Sequence, residues 1–415
     1  MSKGKEQEKV FAGGPLPRYL LLGSMLFLLL GGMVMVYSAS SVADYVNFQD
    51  SAYHLKRQAI GMLLGTVALV VAMVVDYRKA KAVGPMIWGA SVLMLLFVLV
   101  KGVGKWGATR WIDLGPLTVQ PSELAKIGCV MMAALLVQQY RSGRIDTASF
   151  WKRIAFSTLS VAALVMFQPD LGTTFAIIAS VYLALLVAGV SLKQLGGLAL
   201  LGTALVVGAI RVAPYRMRRF TAFLDPFADP QGDGYQSVQA LYAFGSGGIR
   251  GTGLGLSRQK FFYLPAAHTD FIFAIIGEEL GLIGALAVVV AFAVMAYAGF
   301  RIALGARDVY GRVLAGGLTA MVVSQAIINM GAVTGLLPVT GIPMPLVSSG
   351  GTSMVFTMLC IGIILSVSTY GARSVRERRQ TNEENALVHS ADGRGNRRSH
   401  LSSIDGGRSV ARRRA

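Results

Sequence analysis

Charge is scarce in this chain of 415 residues: Asp, Glu, Lys and Arg make up only 14%, against 54% hydrophobic residues. A soluble domain of that length needs far more polar surface, so a water-soluble globular protein is excluded. Cysteine is almost missing. Cys129 and Cys360 both sit inside apolar runs, which excludes a disulfide framework or a cysteine-ligated metal. They read as small buried side chains. The four histidines are scattered and none belongs to a His-Glu-x-x-His pattern, so a structural zinc or a redox centre has no candidate ligands. Acidic residues are few too, 21 against 39 basic ones, and no nucleic-acid module accompanies the excess of +18. No internal repeat is visible, which weakens an inverted-repeat transporter architecture.

What the chain does have is apolar runs of roughly 17–25 residues, the length a helix needs to cross a bilayer. Ten spans are expected, centred near Leu28, Val67, Met94, Met131, Leu159, Ala179, Leu205, Val288, Met321 and Ile363. The fold class is therefore an all-α polytopic membrane protein with ten transmembrane helices. The first run, Tyr19–Val36, is too long for a signal-peptide core and reads as a retained span. Arg78, Lys79, Lys81, Arg141, Arg144, Lys152, Arg153, Lys193, Arg301, Arg307 and Arg312 fall in one set of loops. Lys3, Lys5, Lys9 and Arg18 precede the first span, and eleven arginines follow the last. By the positive-inside rule both termini are cytoplasmic.

The implied organisation is a cytoplasmic segment 1–18, a membrane domain 19–371, and a basic tail 372–415. That tail is Gly/Ser/Arg-rich, aperiodic and expected to be disordered. One long extracytoplasmic loop, 211–269, separates spans seven and eight. It is itself basic, and cations on the outer face suit an anionic substrate.

The polar motifs crowd into the outer loops. Asp270 stands where a basic approach, Ser257 to Thr269, gives way to an apolar helix. An ionisable group at the mouth of a span is costly unless it is paired or used. Partial burial raises a carboxylate's pKa and makes it a better general base for a hydroxyl; a helix-capping role is the alternative. Glu278 and Glu279 fall two turns or more deeper in that helix and form no close dyad with Asp270. Arg258, Lys260 and His268 just upstream can hold a phosphate or orient a sugar. Glu123 and Lys126 share a helix face at i and i+3. They read either as a structural ion pair or as the lining of a polar cavity in which Lys126 and Arg110 meet phosphate. Pro121 suits a first helical turn with Gln120 as its cap. Asp170 is expected to cap the helix that follows it. The glycine run 245–255 fits neither a dinucleotide fingerprint nor a Walker loop, and suits a close backbone approach or a re-entrant turn. The stiff, proline-rich 335–353 segment can close the cavity from the far side.

These motifs fall in one order: Arg110-Trp-Ile-Asp-Leu-Gly, Gln120-Pro-Ser-Glu with Lys126, Gln168-Pro-Asp-Leu-Gly-Thr, Gln259-Lys with Tyr263-Leu-Pro, His268-Thr-Asp-Phe-Ile-Phe-Ala, Gly277-Glu-Glu, and Gly335-Leu-Leu-Pro-Val-Thr-Gly-Ile-Pro. In that order they resemble the SEDS family (shape, elongation, division and sporulation), which includes FtsW and RodA, over about Tyr19 to Tyr370. The wording of the 257–281 stretch is closer to FtsW, the division member. One departure is Ser348-Ser-Gly-Gly-Thr-Ser, where the family usually has Ser-Tyr-Gly-Gly-Ser-Ser.

The resemblance implies a peptidoglycan glycosyltransferase that polymerises lipid II outside the plasma membrane at the division septum. Its partners would be a class B penicillin-binding protein and other division proteins, besides membrane lipids. The family's essential aspartate matches Asp270, and its polar cavity matches Arg57, Arg110, Glu123 and Lys126; Lys260, His268 and Thr269 flank the aspartate on the substrate side. No cofactor is firmly implied; a divalent cation, Mg or Mn, is left open because no cage of carboxylates is evident. Two other readings are a flippase or transporter of the lipid-linked precursor and a non-catalytic division scaffold.

Overall fold

The computed structural model describes residues 15–105, 108–113, 118–212 and 214–370. The expected disordered tail, and the N-terminal segment apart from residues 15–18, lie outside the described residues. Twelve α-helices are described: α1 (Leu16–Phe48), α2 (Tyr53–Val74), α3 (Ala80–Lys101), α4 (Pro121–Arg141), α5 (Thr147–Phe167), α6 (Leu171–Val187), α7 (Leu192–Val212), α8 (Pro214–Leu224), α9 (Tyr235–Gly247), α10 (Ile272–Leu304), α11 (Val309–Val333) and α12 (Gly351–Tyr370).

Eight of them are long and apolar enough to cross a membrane: α1 to α5, α10, α11 and α12. The two other expected span centres fall on α6, with 17 residues, and on α7. The 211–269 connection is more structured than a loop. It contains α8 and α9, separated by a turn in which Asp225 accepts from Phe227 and Ala228 N–H, and Asp229 from Gly232 and Asp233 N–H. Short polar side chains of this kind build turns by binding their own backbone.

The all-α expectation needs one correction. Between α3 and α4 the chain forms a three-stranded antiparallel sheet, β1 (Val103–Lys105), β2 (Ala108–Asp113) and β3 (Thr118–Val119), with β2 in the centre. The backbone leaves the apolar helices here, and strand pairing satisfies its N–H and C=O groups.

Helix ends follow local chemistry. Pro121 opens α4, where its missing N–H costs nothing. Gln120 holds the cap position of α4 but its side chain makes no capping bond. Asp146, Asp170 and Asp308 cap α5, α6 and α11 through their carboxylates. α4 and α11 make the centre of the bundle, with 78% of their apolar windows buried, against 22% for α2 and α3. Buried charge is therefore carried by α4, away from lipid. α11 packs against α10, α6 and α4, and α10 against α1 and α9.

Candidate functional site

The site assembles where the C-terminal end of α11, the N-terminal approach to α10 and the 340–350 segment meet. Asp270 precedes α10 by two residues. The cap position belongs to Phe271, so the carboxylate is not the helix cap. Asp270 Oδ1 accepts from Thr269 Oγ1 at 2.9 Å. Burial pushes its carboxyl above the usual value; the Thr269 hydroxyl and the nearby Arg219 guanidinium oppose this only in part. Asp270 is nonetheless partly open to the surface, so a ligand can reach it.

Hydrogen bonds from three directions hold its backbone. Asn329 on α11 donates to Asp270 O (2.7 Å) and to Ile342 O (2.8 Å). Ser348 Oγ donates to Thr269 O and accepts from Met344 N–H. Ser349 N–H donates to His268 O at 2.9 Å, and Gln58 Nε2 donates to Ser348 O. Gly341 lies so close that a Cβ there would sit 3.9 Å from Asp270 Oδ2.

The ion pair of α4 joins this assembly through α11. Lys126 Nζ lies 2.8 Å from Glu123 Oε1 and 2.8 Å from Gln325 Oε1. Both charged side chains are buried, Lys126 to 2% exposure. Gln325 in turn donates to Pro343 O. Gln325 and Asn329 are one turn apart on α11, about 6 Å along its axis, so they share a face. The pair thus stands about one helical turn deeper than Asp270. A buried charge this far from lipid survives only with such partners.

Arg110, on β2, reaches the same rim by another route. Its guanidinium lies 3.4 Å from Asp170 Oδ2 and donates to Gln168 O and Pro169 O. Asp170 also accepts from Thr173 N–H and Thr173 Oγ1. Behind it, Gly172 abuts the 340 segment: a Cβ there would come within 2.4 Å of Thr340 O. Capping and ion pairing therefore coexist at Asp170.

His268 packs against His54, ring centroids 4.3 Å apart, and His54 Nδ1 bonds the fully buried Asp44. Burial first, and the neighbouring His54 second, bring the His268 imidazole down to about 4, so it is neutral at physiological pH. Arg57 donates to Tyr53 Oη at 3.1 Å and lies over that ring, one residue from Gln58. Three buried acceptors around Asp270 have no hydrogen-bond partner among the described residues: Asn329 Oδ1, Thr340 Oγ1 and Gln58 Oε1. Buried acceptors without partners are rare in folded proteins, and hydroxyls of a ligand would satisfy these.

Not every candidate converges. Lys260 is turned inward: its ammonium bonds Gly255 O and stands 3.9 Å from Glu279 Oε1. Glu279 also accepts from Ser38, and Glu278 from Ser257 Oγ and Arg258 N–H. These two carboxylates fasten the 257–260 strap to α10 and α1, and Lys260 belongs to that strap. Gln325, Asp44 and His54 carry no distinguishing signal in the sequence; Arg219 is one of several cations of the basic outer connection, and Asn329 belongs to the Asn329-Met-Gly run. Arg219 also lines a cavity of about 250 Å³ between α8, α9 and the 334–339 turn, with Asp233, Gln236, Ser237 and Thr334. Among the described residues no cluster of three or more His, Cys, Asp or Glu side chains is placed to hold a metal.

A conserved-family description, that of the cell cycle proteins FtsW, RodA and SpoVE, matches residues 19–373. The chain belongs to the FtsW/RodA/SpoVE family. It is 41% identical to the stage V sporulation protein E of Bacillus subtilis over 357 residues, 85% of this chain and 97% of that protein. It is 41% identical to the probable peptidoglycan glycosyltransferase FtsW of Geobacter metallireducens over 341 residues, 81% of this chain and 91% of that one. Among solved structures, a peptidoglycan synthase complex described as coordinating polymerization and crosslinking aligns with a TM-score of 0.68 at 28% identity, over 84% of this chain and 97% of that one. The crystal structure of the Thermus thermophilus rod shape determining protein RodA aligns with a TM-score of 0.63 at 26% identity, over 85% and 96%. The chain is thus a multi-pass membrane protein with the fold of its family.

Proposed function

We propose that this peptidoglycan glycosyltransferase polymerises lipid II at the outer face of the membrane during division, with Asp270 as general base. The observation that carries the reading is the placement of Asp270. It is a carboxylate with a raised pKa that caps no helix, bonded by Thr269 and, at its carbonyl, by Asn329, within a rim of acceptors that lack partners among the described residues. A base with its pKa moved toward the working pH transfers a proton more effectively.

In the reaction, the acceptor's sugar hydroxyl gives its proton to Asp270 while its oxygen bonds to the donor's anomeric carbon. The bond from that carbon to the pyrophosphate oxygen breaks, and undecaprenyl pyrophosphate leaves with the electron pair. Cations fixed in advance near the leaving group stabilise that charge without reorganising. Lys126 and Arg110 are the cations already fixed by protein partners, and Arg57 and Arg219 line the approach. Glu123 keeps Lys126 oriented. Neutral His268 can donate or accept a hydrogen bond with a sugar hydroxyl, as can Thr269. The cavity beside Arg219 offers amide, hydroxyl and carboxylate groups of the kind that bind sugars or a stem peptide. Lys260 acts on the substrate only indirectly, through the strap. A class B penicillin-binding protein is the proposed partner, as in the synthase complex that the fold resembles. Ten spans, cytoplasmic termini and a septal location complete the reading.

The test is lipid II polymerisation by purified protein with its cognate class B penicillin-binding protein, comparing wild type with Asp270→Asn. Asn keeps the size and the hydrogen bond from Thr269 but cannot take a proton. Loss of glycan chains in a folded Asn variant is expected, by about 10²-fold or more. Normal polymerisation by that variant would remove Asp270 from the chemistry. Transport of the precursor with no polymer from wild type would favour the flippase reading.

A further inference from the structure

At the end of the bundle opposite Asp270, α3 begins, α4 ends and the turn 142–144 leads on to α5. There a cavity of about 320 Å³ is lined by Lys81, Leu135, Gln138, Gln139, Ser142 and Arg144. That size is at the lower end for small-ligand sites. Its two cations are held differently. Lys81 Nζ is 2.9 Å from Asp308 Oδ2 and 5.2 Å from the centre of the Tyr310 ring. Asp308 also caps α11 and accepts from Tyr77 Oη, so its charge is shared among several donors. The Arg144 guanidinium makes no ion pair or hydrogen bond among the described residues. The nearest acidic residue in sequence, Asp146, spends its carboxylate on the N–H groups of Ala148 and Ser149.

A second observation points to a ligand with a donor as well as an anion. Gln139 Oε1 is buried and has no hydrogen-bond partner among the described residues. A third sets the depth. The cavity lies where α3 begins and α4 ends, at the end of two apolar helices where lipid headgroups are expected, and Leu135 adds an apolar wall.

We infer that this cavity is a binding site for the headgroup of an anionic glycerophospholipid. Arg144 and Lys81 take the phosphodiester oxygens, and Gln139 Oε1 accepts from a headgroup hydroxyl. Arginine suits this task because its planar fork matches phosphate oxygens. Basic pockets between transmembrane helices on the cytoplasmic side bind such headgroups in general. The site is separate from the Asp270 centre, being about the length of α11 away, so it stands whether or not the polymerase reading does.

The experiment is native mass spectrometry of the full chain after detergent exchange, with phosphatidylglycerol or phosphatidylcholine added. Wild type is expected to retain one phosphatidylglycerol in preference to phosphatidylcholine. Arg144→Ala is expected to retain it about tenfold more weakly, and Arg144→Lys to fall between them. Gln139→Leu is expected to weaken retention of phosphatidylglycerol while leaving the thermal midpoint in neutral detergent unchanged. Excess inorganic phosphate is expected not to displace the lipid. Equal retention of phosphatidylglycerol by wild type and Arg144→Ala would overturn the site. Full displacement by phosphate, with the variants losing phosphate binding instead, would make it a soluble-anion site and overturn the lipid assignment.

Discussion

A carboxylate at the mouth of an apolar helix is costly wherever it goes, and Asp270 meets that cost with a raised pKa and a hydrogen bond from Thr269. Lys126 and Glu123 were legible as a pair because i and i+3 share a helix face. Their third partner, Gln325, was not, since nothing in the sequence says which face of α11 meets α4. Lys260 shows the same gap between sequence and packing. Beside a basic approach it reads as a phosphate ligand, yet its ammonium is spent on Gly255 and Glu279 after the chain folds back along α10. The buried pair supplies a prediction. Glu123→Gln leaves an ammonium buried without its counter-charge and is expected to lower stability by about 3–5 kcal/mol, read as thermal unfolding in detergent. The double variant Glu123→Gln with Lys126→Met is expected to regain much of that stability without regaining polymerisation. If activity returned with stability, the pair would be structural only.

Helix positions were readable from hydropathy: all ten expected centres fall within helices, eight of them long and apolar enough to cross a membrane. One sheet and two helices escaped. The β1–β3 sheet is built from short strands in a glycine-rich stretch with no sustained alternation, and α8 and α9 were hidden in a connection whose prolines and glycines signal turns. The glycine run 245–255 did mark a close backbone approach. Gly281, inside α10, has φ +66° and ψ −163°, a conformation essentially confined to glycine. A Cβ there would meet Gly251 N at 2.4 Å and Ile249 O at 2.6 Å. Thr252 N–H and Gly253 N–H donate to Glu278 O and Glu279 O at this break, so the kink and the strap are one unit. Gly281→Ala is expected to cost about 1–3 kcal/mol or more and to speed hydrogen exchange across residues 247–260. Unchanged exchange there would show that the strap does not depend on the kink.

For the whole molecule, the account has an orientation as well as a fold. Basic residues gather at the end that holds Lys81 and Arg144, and the proposed catalytic groups gather at the other. Phe261 is exposed on the expected outer side and Ser142 at the expected inner side. A membrane-impermeant maleimide added to intact spheroplasts is expected to label Phe261→Cys and to label Ser142→Cys only after permeabilisation. Background should be low, because Cys129 and Cys360 are both buried. The reverse pattern would invert the topology and place Asp270 on the wrong side for a lipid II polymerase.

The claim on which the account turns is that Asp270 takes a proton in the reaction, and the pH dependence of glycan polymerisation by the purified complex tests it most directly. A base must be ionised, so the rate should fall as pH drops through the Asp270 pKa, which burial holds above the ordinary carboxylate value of 3.8. His268, near 4, stays neutral over that range and adds no limb of its own above it. The account predicts an acid limb displaced upward from the carboxylate range in wild type, and only a weak residual rate without that limb in Asp270→Asn. An undisplaced limb, or the same limb persisting in the Asn variant, would contradict it.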